Sequence, residues 1–494
     1  MTDTSPEELP EKTAPGTTQP SAELMDDIVT TRHVLTVKGG KLAYTAKAGR
    51  LILRKEVIED GSFQPQAEVF ITSYTVDDAD PGTRPVTFAF NGGPGSSSIW
   101  LHMGLLGPRR VLSGDVDDLV PPPYGLADNP DTLLAHSDLV FIDPVSTGYS
   151  RPVNGVGTQD FHGFKSDIES VGEVIRIWVS RHERWLSPKF LASESYGTLR
   201  AAGLAAHLQD RHGMYFNGLM LISSVLDLGT LQFTEGNALP YSLYVPTYAA
   251  IAHYHGLHND RPLEDVLADA EAFASKDLPW ALSRGSRLSA EDRAAVVATL
   301  ASLTGLSESY VDRVNMRIEH IRFFTELLRH RGMIVGRMDG RFTTWELDGG
   351  REHMGDDPSV SRVVGAYSAG FNHYVRAELG YRNDLPYEII HAETFAEWSY
   401  ADFEGRSVSV VKSLSSAMRG NPDLRLHVAF GYYDGDTAYF AAEHVLAQMQ
   451  IPDDLREHID TAYYPAGHMM YIHEPSRIRQ SEDLGRFIKK ASNR

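Results

Sequence analysis

The sequence predicts an α/β fold built on a mostly parallel sheet. Three apolar runs, VTFAF (86–90), DLVFI (138–142) and GLMLISS (218–224), lack alternation, which is typical of strands covered on both faces. Residues 164–178 repeat apolar side chains at helical spacing, and residues 187–210 read as a strand, a corner and a helix. Strands that alternate with helices indicate a parallel sheet wrapped by helices, with its chemistry at the carboxyl ends of the strands.

Ser195 lies at the corner of that predicted strand and helix. KFLA (189–192) has the length of a short strand, and apolar residues follow Gly197 at roughly helical spacing. A nucleophilic serine in such a corner is held in a strained conformation, and the residues two positions away must be small. These are Ser193 and Gly197, where the common pattern has glycine twice. An ordinary turn serine is the alternative interpretation.

Composition excludes several classes of protein. The chain has 494 residues, no cysteine and a formal net charge of -20. Disulfides and thiolate metal sites are therefore impossible, and nucleic acid or an acidic membrane surface would be repelled. No run reaches the length of a membrane helix and the N-terminal stretch lacks a signal-peptide pattern, so we expect no membrane partner and a cytoplasmic location. The sequence does not predict an oligomeric state.

The chain divides into four predicted segments. Residues 1–26 are rich in Pro, Thr, Glu and Ser and predict a disordered tail. Residues 27–228 form the first part of the α/β core, residues 229–395 an inserted, largely helical cap, and residues 396–494 the second part of the core. An independent helical domain is the alternative to the cap, but core-like strands return after it.

Short alternating runs between residues 28 and 74 predict an antiparallel meander. They are separated by Gly-Gly, Ala-Gly and Asp-Gly pairs, which are typical turn sequences.

A nucleophilic Ser195 requires a base and an orienting carboxylate. In the strand–corner–helix arrangement these partners follow the serine in the order carboxylate, then histidine. Asp434 follows the strand-like run LRLHVAFGYY, and His468 follows the strand-like HIDTAYYP. Asp436 and His473 are the nearby competitors. His468 and His473 lie five residues apart without a third ligand pattern, so no metal site and no cofactor are predicted.

FNGGPGSSS (90–98) follows the strand 86–90 and suits an oxyanion hole. Its glycines let the backbone approach a substrate closely. A phosphate-binding loop is the alternative, but the Walker spacing and its lysine are absent.

Four motifs together resemble those of the serine carboxypeptidase family, peptidases of the α/β-hydrolase fold. They are NGGPGSSS (91–98), NPDTLLAHSDLVFIDPVSTGYS (129–150), SESYG (193–197) and AGHMMYIHEP (466–475). The resemblance spans about residues 85–230 and 424–475. Ser146 stands where the family commonly has glycine.

The resemblance implies a role for each matching residue. Ser195 would be the nucleophile, His468 the general base and Asp434 its orienting carboxylate. The amides of Gly93 and Tyr196 would form the oxyanion hole.

The resemblance also implies that Asn91 and Glu194 hold the terminal carboxylate of the substrate. The family's second glutamate, before a Gly-Pro pair, is replaced by Leu105.

The sequence thus predicts a carboxypeptidase that takes a peptide substrate through an acyl-enzyme. An esterase or acyltransferase using the same triad is the second hypothesis. A catalytically silent binding protein is the third, and the complete serine, aspartate and histidine set argues against it.

Overall fold

A computed structural model describes residues 24–59 and 61–492. Of the predicted tail 1–26, residues 1–23 lie outside the described residues. Asp26, at its end, accepts a hydrogen bond from the amide of Ile52 at 2.9 Å. Within the described residues the strands are β1 (Asp27–Val37), β2 (Gly40–Val57), β3 (Ser62–Val76), β4 (Val86–Phe90), β5 (Arg109–Leu112), β6 (Gly125–Asp128), β7 (Asp138–Ile142), β8 (Arg151–Pro152), β9 (Lys189–Ser195), β10 (Gly218–Ser224), β11 (Met333–Val335), β12 (Thr343–Trp345), β13 (Arg425–Gly431) and β14 (Ile459–Tyr464).

One large sheet organises the described chain, in the order β1-β2-β3-β7-β4-β9-β10-β13-β14, with β8 also paired to β3. The six strands from β7 to β14 pair in parallel. The three N-terminal strands pair antiparallel and join the sheet through β3 and β7. The predicted runs 86–90, 138–142 and 218–224 are strands with the expected bounds, and every residue in them is buried.

One of the three turns predicted in the N-terminal meander, at Ala48-Gly49, is wrong. The Gly-Gly pair lies at the β1–β2 turn and Gly61, of the Asp-Gly pair, lies between β2 and β3, but Ala48 and Gly49 lie inside β2. A Cβ at Gly49 would lie 1.9 Å from the carbonyl oxygen of Asp27 on the paired strand. Glycine is needed here because two backbones approach closely.

The helices cover both faces of the sheet and fill the inserted stretch. In chain order they are α1 (Ile99–Leu101), α2 (Phe164–Arg181), α3 (Tyr196–His212), α4 (Leu239–Leu243), α5 (Val245–Tyr254), α6 (Leu263–Ser275), α7 (Asp277–Arg284), α8 (Ala290–Thr304), α9 (Glu308–Arg313), α10 (His320–Glu326), α11 (Pro358–Ser361), α12 (Val364–His373), α13 (Ala392–Glu397), α14 (Val411–Gly420), α15 (Tyr439–Gln448), α16 (Asp453–Arg456) and α17 (Glu474–Ser492). Alternate residues of β9 and β10 pack into two separate cores, one with α2 and α3 and the other with α17.

The stretch between β10 and β13 is mostly helical. It contains α4 to α14 and the short antiparallel hairpin β11–β12, which the sequence did not predict. Ser289 caps α8, because its hydroxyl accepts a hydrogen bond from the amide of Asp292 at 3.0 Å. The predicted boundaries of the cap, 229 and 395, stay a prediction.

Candidate active site

Ser195 is the last residue of β9 and α3 begins at the next residue. Its backbone has φ 60° and ψ −135°, a conformation that a residue with a Cβ rarely adopts. The glycine loop packs directly on this corner: a Cβ at Gly92 would lie 2.5 Å from the amide nitrogen of Tyr196. Ser193 is fully buried, so a small side chain is accommodated where the common pattern has glycine.

His468 and Asp434 form a buried pair. Nδ1 of His468 lies 2.8 Å from Oδ2 of Asp434, and each side chain is 1% exposed. The carboxylate also accepts hydrogen bonds from the amides of Asp436 and Thr437, both at 2.9 Å, and from the Thr437 hydroxyl at 2.7 Å. Burial lowers the pKa of His468, but the Asp434 carboxylate outweighs it and the pKa is raised from its ordinary value.

The competing residues have other partners. The carboxylate of Asp436 forms an ion pair with Arg337. Nδ1 of His473 bonds to the hydroxyl of Ser476 at 2.7 Å. The geometry therefore couples His468 to Asp434 rather than to Asp436.

Ser195 and His468 line one cavity of about 460 Å³. The remaining Nε2 of His468 is buried and has no hydrogen-bond partner within residues 24–59 and 61–492. The cavity wall also includes Asn91, Gly93 and Glu194. Apolar side chains form much of the rest of the wall, including Trp100, Leu231, Val360, Ile390 and Phe395. A larger, more open depression of about 650 Å³ holds none of the predicted site residues.

Two backbone amides border the cavity beside Ser195. Gly93 has φ +108° and, in the described part of the chain, its amide has no acceptor. Tyr196 carries the first amide of α3, which has no acceptor within the helix. Gly93 and Tyr196 thus both line the cavity with amides suited to receiving an oxyanion.

Glu194 and Asn91 form a second buried pair beside Ser195. The Asn91 amide nitrogen donates to Oε1 of Glu194 at 2.8 Å, while its oxygen accepts from the amide of Leu101 at 3.1 Å. Oε2 of Glu194 is buried and unpartnered among the described residues. Burial raises the pKa of Glu194 to about 7, and the nearby Asp434 charge adds to this, against the lowering effects of His468, Tyr471 and Asn91.

Sequence reasoning missed Tyr471. Its hydroxyl donates to Oε1 of Glu194 at 3.2 Å, and its side chain is buried. Leu105, in place of the family's second glutamate, is 1% exposed within a π-helical turn, His102–Leu106. The sequence feature that could have identified Tyr471 is its position three residues after His468, inside the motif AGHMMYIHEP.

The structure brings all seven predicted site residues to the carboxyl edge of the parallel strands. They are Asn91, Gly93, Glu194, Ser195, Tyr196, Asp434 and His468. Arg337 and Thr437, which sequence reasoning did not name, also line the cavity. The catalytic roles of these residues stay a prediction.

Two classes of feature are absent from the described chain. No helix in residues 24–59 and 61–492 is both long and apolar enough to cross a membrane. Across the same residues, no group of three or more His, Asp or Glu side chains is placed to hold a metal ion.

Solved structures similar to this chain are distant in sequence. A haloalkane dehalogenase loop variant from Bradyrhizobium elkanii is 13% identical, with 90% of this chain and 99% of that one covered and a TM-score of 0.36. An esterase from Thermogutta terrifontis is 11% identical, with 94% and 100% covered and a TM-score of 0.32. A putative lipase from Acinetobacter baumannii is 9% identical, with 89% and 92% covered and a TM-score of 0.37.

A family profile described as serine carboxypeptidase matches residues 65–456. The match includes Ser195 and Asp434 and ends before His468. No curated protein sequence matches the chain significantly. Because the profile covers most of the 494 residues, the chain belongs to the serine carboxypeptidase family and is a serine hydrolase of the α/β-hydrolase fold.

Proposed function

We propose that the protein is a carboxypeptidase that releases C-terminal amino acids from peptides through an acyl-enzyme. The observation that carries this proposal is the buried Asn91–Glu194 pair beside Ser195, with Oε2 of Glu194 left without a partner in the described chain. A buried polar atom without a partner is costly unless a ligand satisfies it. A terminal carboxylate would do so when Glu194 holds a proton.

In the proposed acylation step, Oγ of Ser195 attacks the carbonyl carbon of the last peptide bond. Nε2 of His468 takes the hydroxyl proton, while its Nδ1–H donates to the Asp434 carboxylate, which fixes the tautomer and stabilises the imidazolium. The amides of Gly93 and Tyr196 receive the developing oxyanion. The C–N bond then breaks, His468 returns its proton to the leaving amine, and the C-terminal amino acid departs.

Deacylation uses the same groups with water as the nucleophile. His468 removes a proton from the water, which attacks the ester carbonyl carbon. The tetrahedral intermediate collapses, Ser195 leaves with the proton from His468, and the shortened peptide departs as a carboxylic acid.

The charge of Glu194 sets the preference for a free terminus. The pKa of Glu194 is about 7, so at lower pH its Oε2 carries a proton and can donate to the substrate carboxylate. Above that pH two negative carboxylates would face each other in a buried site, and binding would weaken. The cavity's arginine, Arg337, is paired with Asp436, so it is not free to replace the proton.

An esterase or acyltransferase is the second candidate. It is favoured by the largely apolar cavity wall and by the single glutamate, since Leu105 supplies no second carboxyl group. Above the pKa of Glu194 an uncharged ester would be accepted more easily than a free acid.

Mass spectrometry of a mixed peptide library after incubation tests the proposal. We expect ragged C-termini, with Ser195→Ala as the inactive control. Internal cuts would indicate an endopeptidase. Untouched peptides, together with Ser195 labelling by a fluorophosphonate, would favour the esterase or acyltransferase. Failure of the fluorophosphonate to label the folded protein would favour a silent binding protein.

A further inference from the structure

A short segment of the inserted stretch, residues 336–342, lies between the loops that carry Asp434 and His468. We call this segment the strap. The amide of His468 donates to the carbonyl oxygen of Met338 at 2.6 Å. On the other side, the amide of Gly435 donates to the carbonyl oxygen of Arg337 at 3.0 Å. The strap therefore joins the two loops by main-chain hydrogen bonds.

A third bond and a tight contact fix the strap in place. The amide of Gly340 donates to the carbonyl oxygen of Tyr433 at 2.9 Å. Gly467, next to His468, has no room for a side chain, because a Cβ there would lie 2.4 Å from the Cβ of Asp339. A shift of the strap would consequently move both loops or break their hydrogen bonds.

The strap is held in shape by a main-chain hydrogen bond, by its own charges and by the carboxylate of Asp357, which accepts from the amides of Arg337 and Met338, both at 3.2 Å. The amide of Gly336 donates to the carbonyl oxygen of Phe342 at 2.8 Å and closes the segment into a loop. Inside it, Arg341 and Asp339 form an ion pair at 2.7 Å, with side chains 5% and 4% exposed. Arg341 also reaches Asp115, at 3.3 Å, outside the inserted stretch.

A hydrogen bond from the central sheet holds the backbone of His468 on the side opposite the strap. The hydroxyl of Ser223, at the end of β10, donates to the carbonyl oxygen of His468 at 2.6 Å. The backbone of His468 is thus bonded on its carbonyl side by the sheet and on its amide side by the strap. Only the second bond depends on the inserted stretch.

We infer that Asp339 and Arg341 are positioning residues for the reaction: their ion pair shapes the strap, and the strap sets the distance between His468 and Asp434. Neither residue lines the cavity, so they act through the two loops and not on the substrate. A misplacement of about 1 Å in a catalytic group costs roughly a hundredfold in rate. The inference rests on the proposed function only in taking Ser195, His468 and Asp434 as the catalytic groups.

The test compares Arg341→Met with Arg184→Met. Arg184 and Asp138 form an equally buried ion pair, with side chains 4% and 3% exposed, at the start of β7 and away from the site. We expect Arg341→Met to lower kcat on a neutral ester, and the rate of fluorophosphonate labelling, by about tenfold to a hundredfold with little change in KM. Arg184→Met should lose stability but keep the native kcat in its folded fraction, and Arg341→Lys should recover much of the lost rate.

If Arg341→Met does not fold, two further experiments still test the inference. The double variant Asp339→Leu, Arg341→Met removes the ion pair without leaving a buried charge, and it should show the same loss of kcat. In the native protein, amides of 338–342, 433–436 and 466–470 should exchange with deuterium as one slow unit.

A native labelling rate in a folded strap variant would overturn the inference, as would fast, independent exchange of the strap. Neutral esters and fluorophosphonates need no terminal carboxylate. These substrates can therefore disprove the role of the strap without disproving the carboxypeptidase proposal. Free-acid peptides test the carboxypeptidase proposal separately.

Discussion

Tyr471 donates a hydrogen bond to Oε1 of Glu194, the same oxygen that accepts from Asn91, at 3.2 Å and 2.8 Å respectively. Both donors are directed at one oxygen, which leaves Oε2 as the oxygen without a partner in the described chain. The proton of a neutral Glu194 is therefore best placed on Oε2. The phenol thus supports the glutamate in a site where Leu105 supplies no carboxyl group.

Tyr471→Phe should raise the pKa of Glu194, because the lost hydrogen bond lowers it in the native protein. One hydrogen bond is worth about 1 kcal/mol, so the shift should be roughly half to one pH unit. The pH at which KM for a free-acid peptide begins to rise should move upward by that amount, with KM for the matching amide unchanged. A downward shift, or an equal shift for both substrates, would contradict the arrangement.

Asp434→Asn should reduce kcat by about ten-thousandfold, since it removes the carboxylate that orients His468. Asp436→Asn should cost about tenfold or less, because Asp436 pairs with the partly exposed Arg337 rather than with the histidine. Ester kinetics on both folded variants, beside Ser195→Ala and His468→Ala as fully disabled references, give the ranking. The reverse ranking would show that the carboxylate has been misidentified.

Gly92→Ala should reduce kcat on an ester by roughly a hundredfold, similar to the loss of an oxyanion donor. The new Cβ would lie 2.5 Å from the amide nitrogen of Tyr196 and would push the glycine loop away from the corner at Ser195. Gly39→Ala is the matched control, because a Cβ at Gly39 meets nothing within 4 Å. Equal kcat values for the two variants would remove the glycine loop from the mechanism.

Glu194→Gln should change how stability depends on pH. Between pH 4.5 and about 7 the unfolded chain loses the Glu194 proton while the folded chain keeps it, so this residue makes the free energy of unfolding fall as pH rises. The total is about 3 kcal/mol. Denaturant unfolding should therefore show the stability of Glu194→Gln relative to the native protein rising by about that amount from pH 4 to pH 8. A constant difference would mean that the folded-state pKa is ordinary.

The parts of the fold that the sequence predicted best are set by local pattern. The strands β4, β7 and β10 were predicted to the residue because they are buried on both faces and bounded by polar or turn residues. The corner at Ser195 was predicted because a strand run and a helical run meet there. Gly49 was misassigned because a glycine forced by a neighbouring strand looks the same in sequence as a glycine in a turn.

The contacts that the sequence did not predict join residues far apart in the chain. Tyr471 lies 277 residues from Glu194, and His468 N bonds to a carbonyl of a segment whose own sequence has no recognised motif. The hairpin β11–β12 has strands of three residues, too short to show a period. These features depend on tertiary packing, so a single sequence does not show which distant residues they join.

The most direct test of the carboxypeptidase proposal is KM as a function of pH for an acyl-peptide with a free C-terminus, its C-terminal amide and an ester. We predict that KM for the free acid rises above a pH of about 7, where Glu194 loses its proton, while KM for the amide and the ester stays level. Glu194→Gln should remove that rise. Equal KM profiles for acid and amide, unchanged in Glu194→Gln, would contradict the account and favour the esterase.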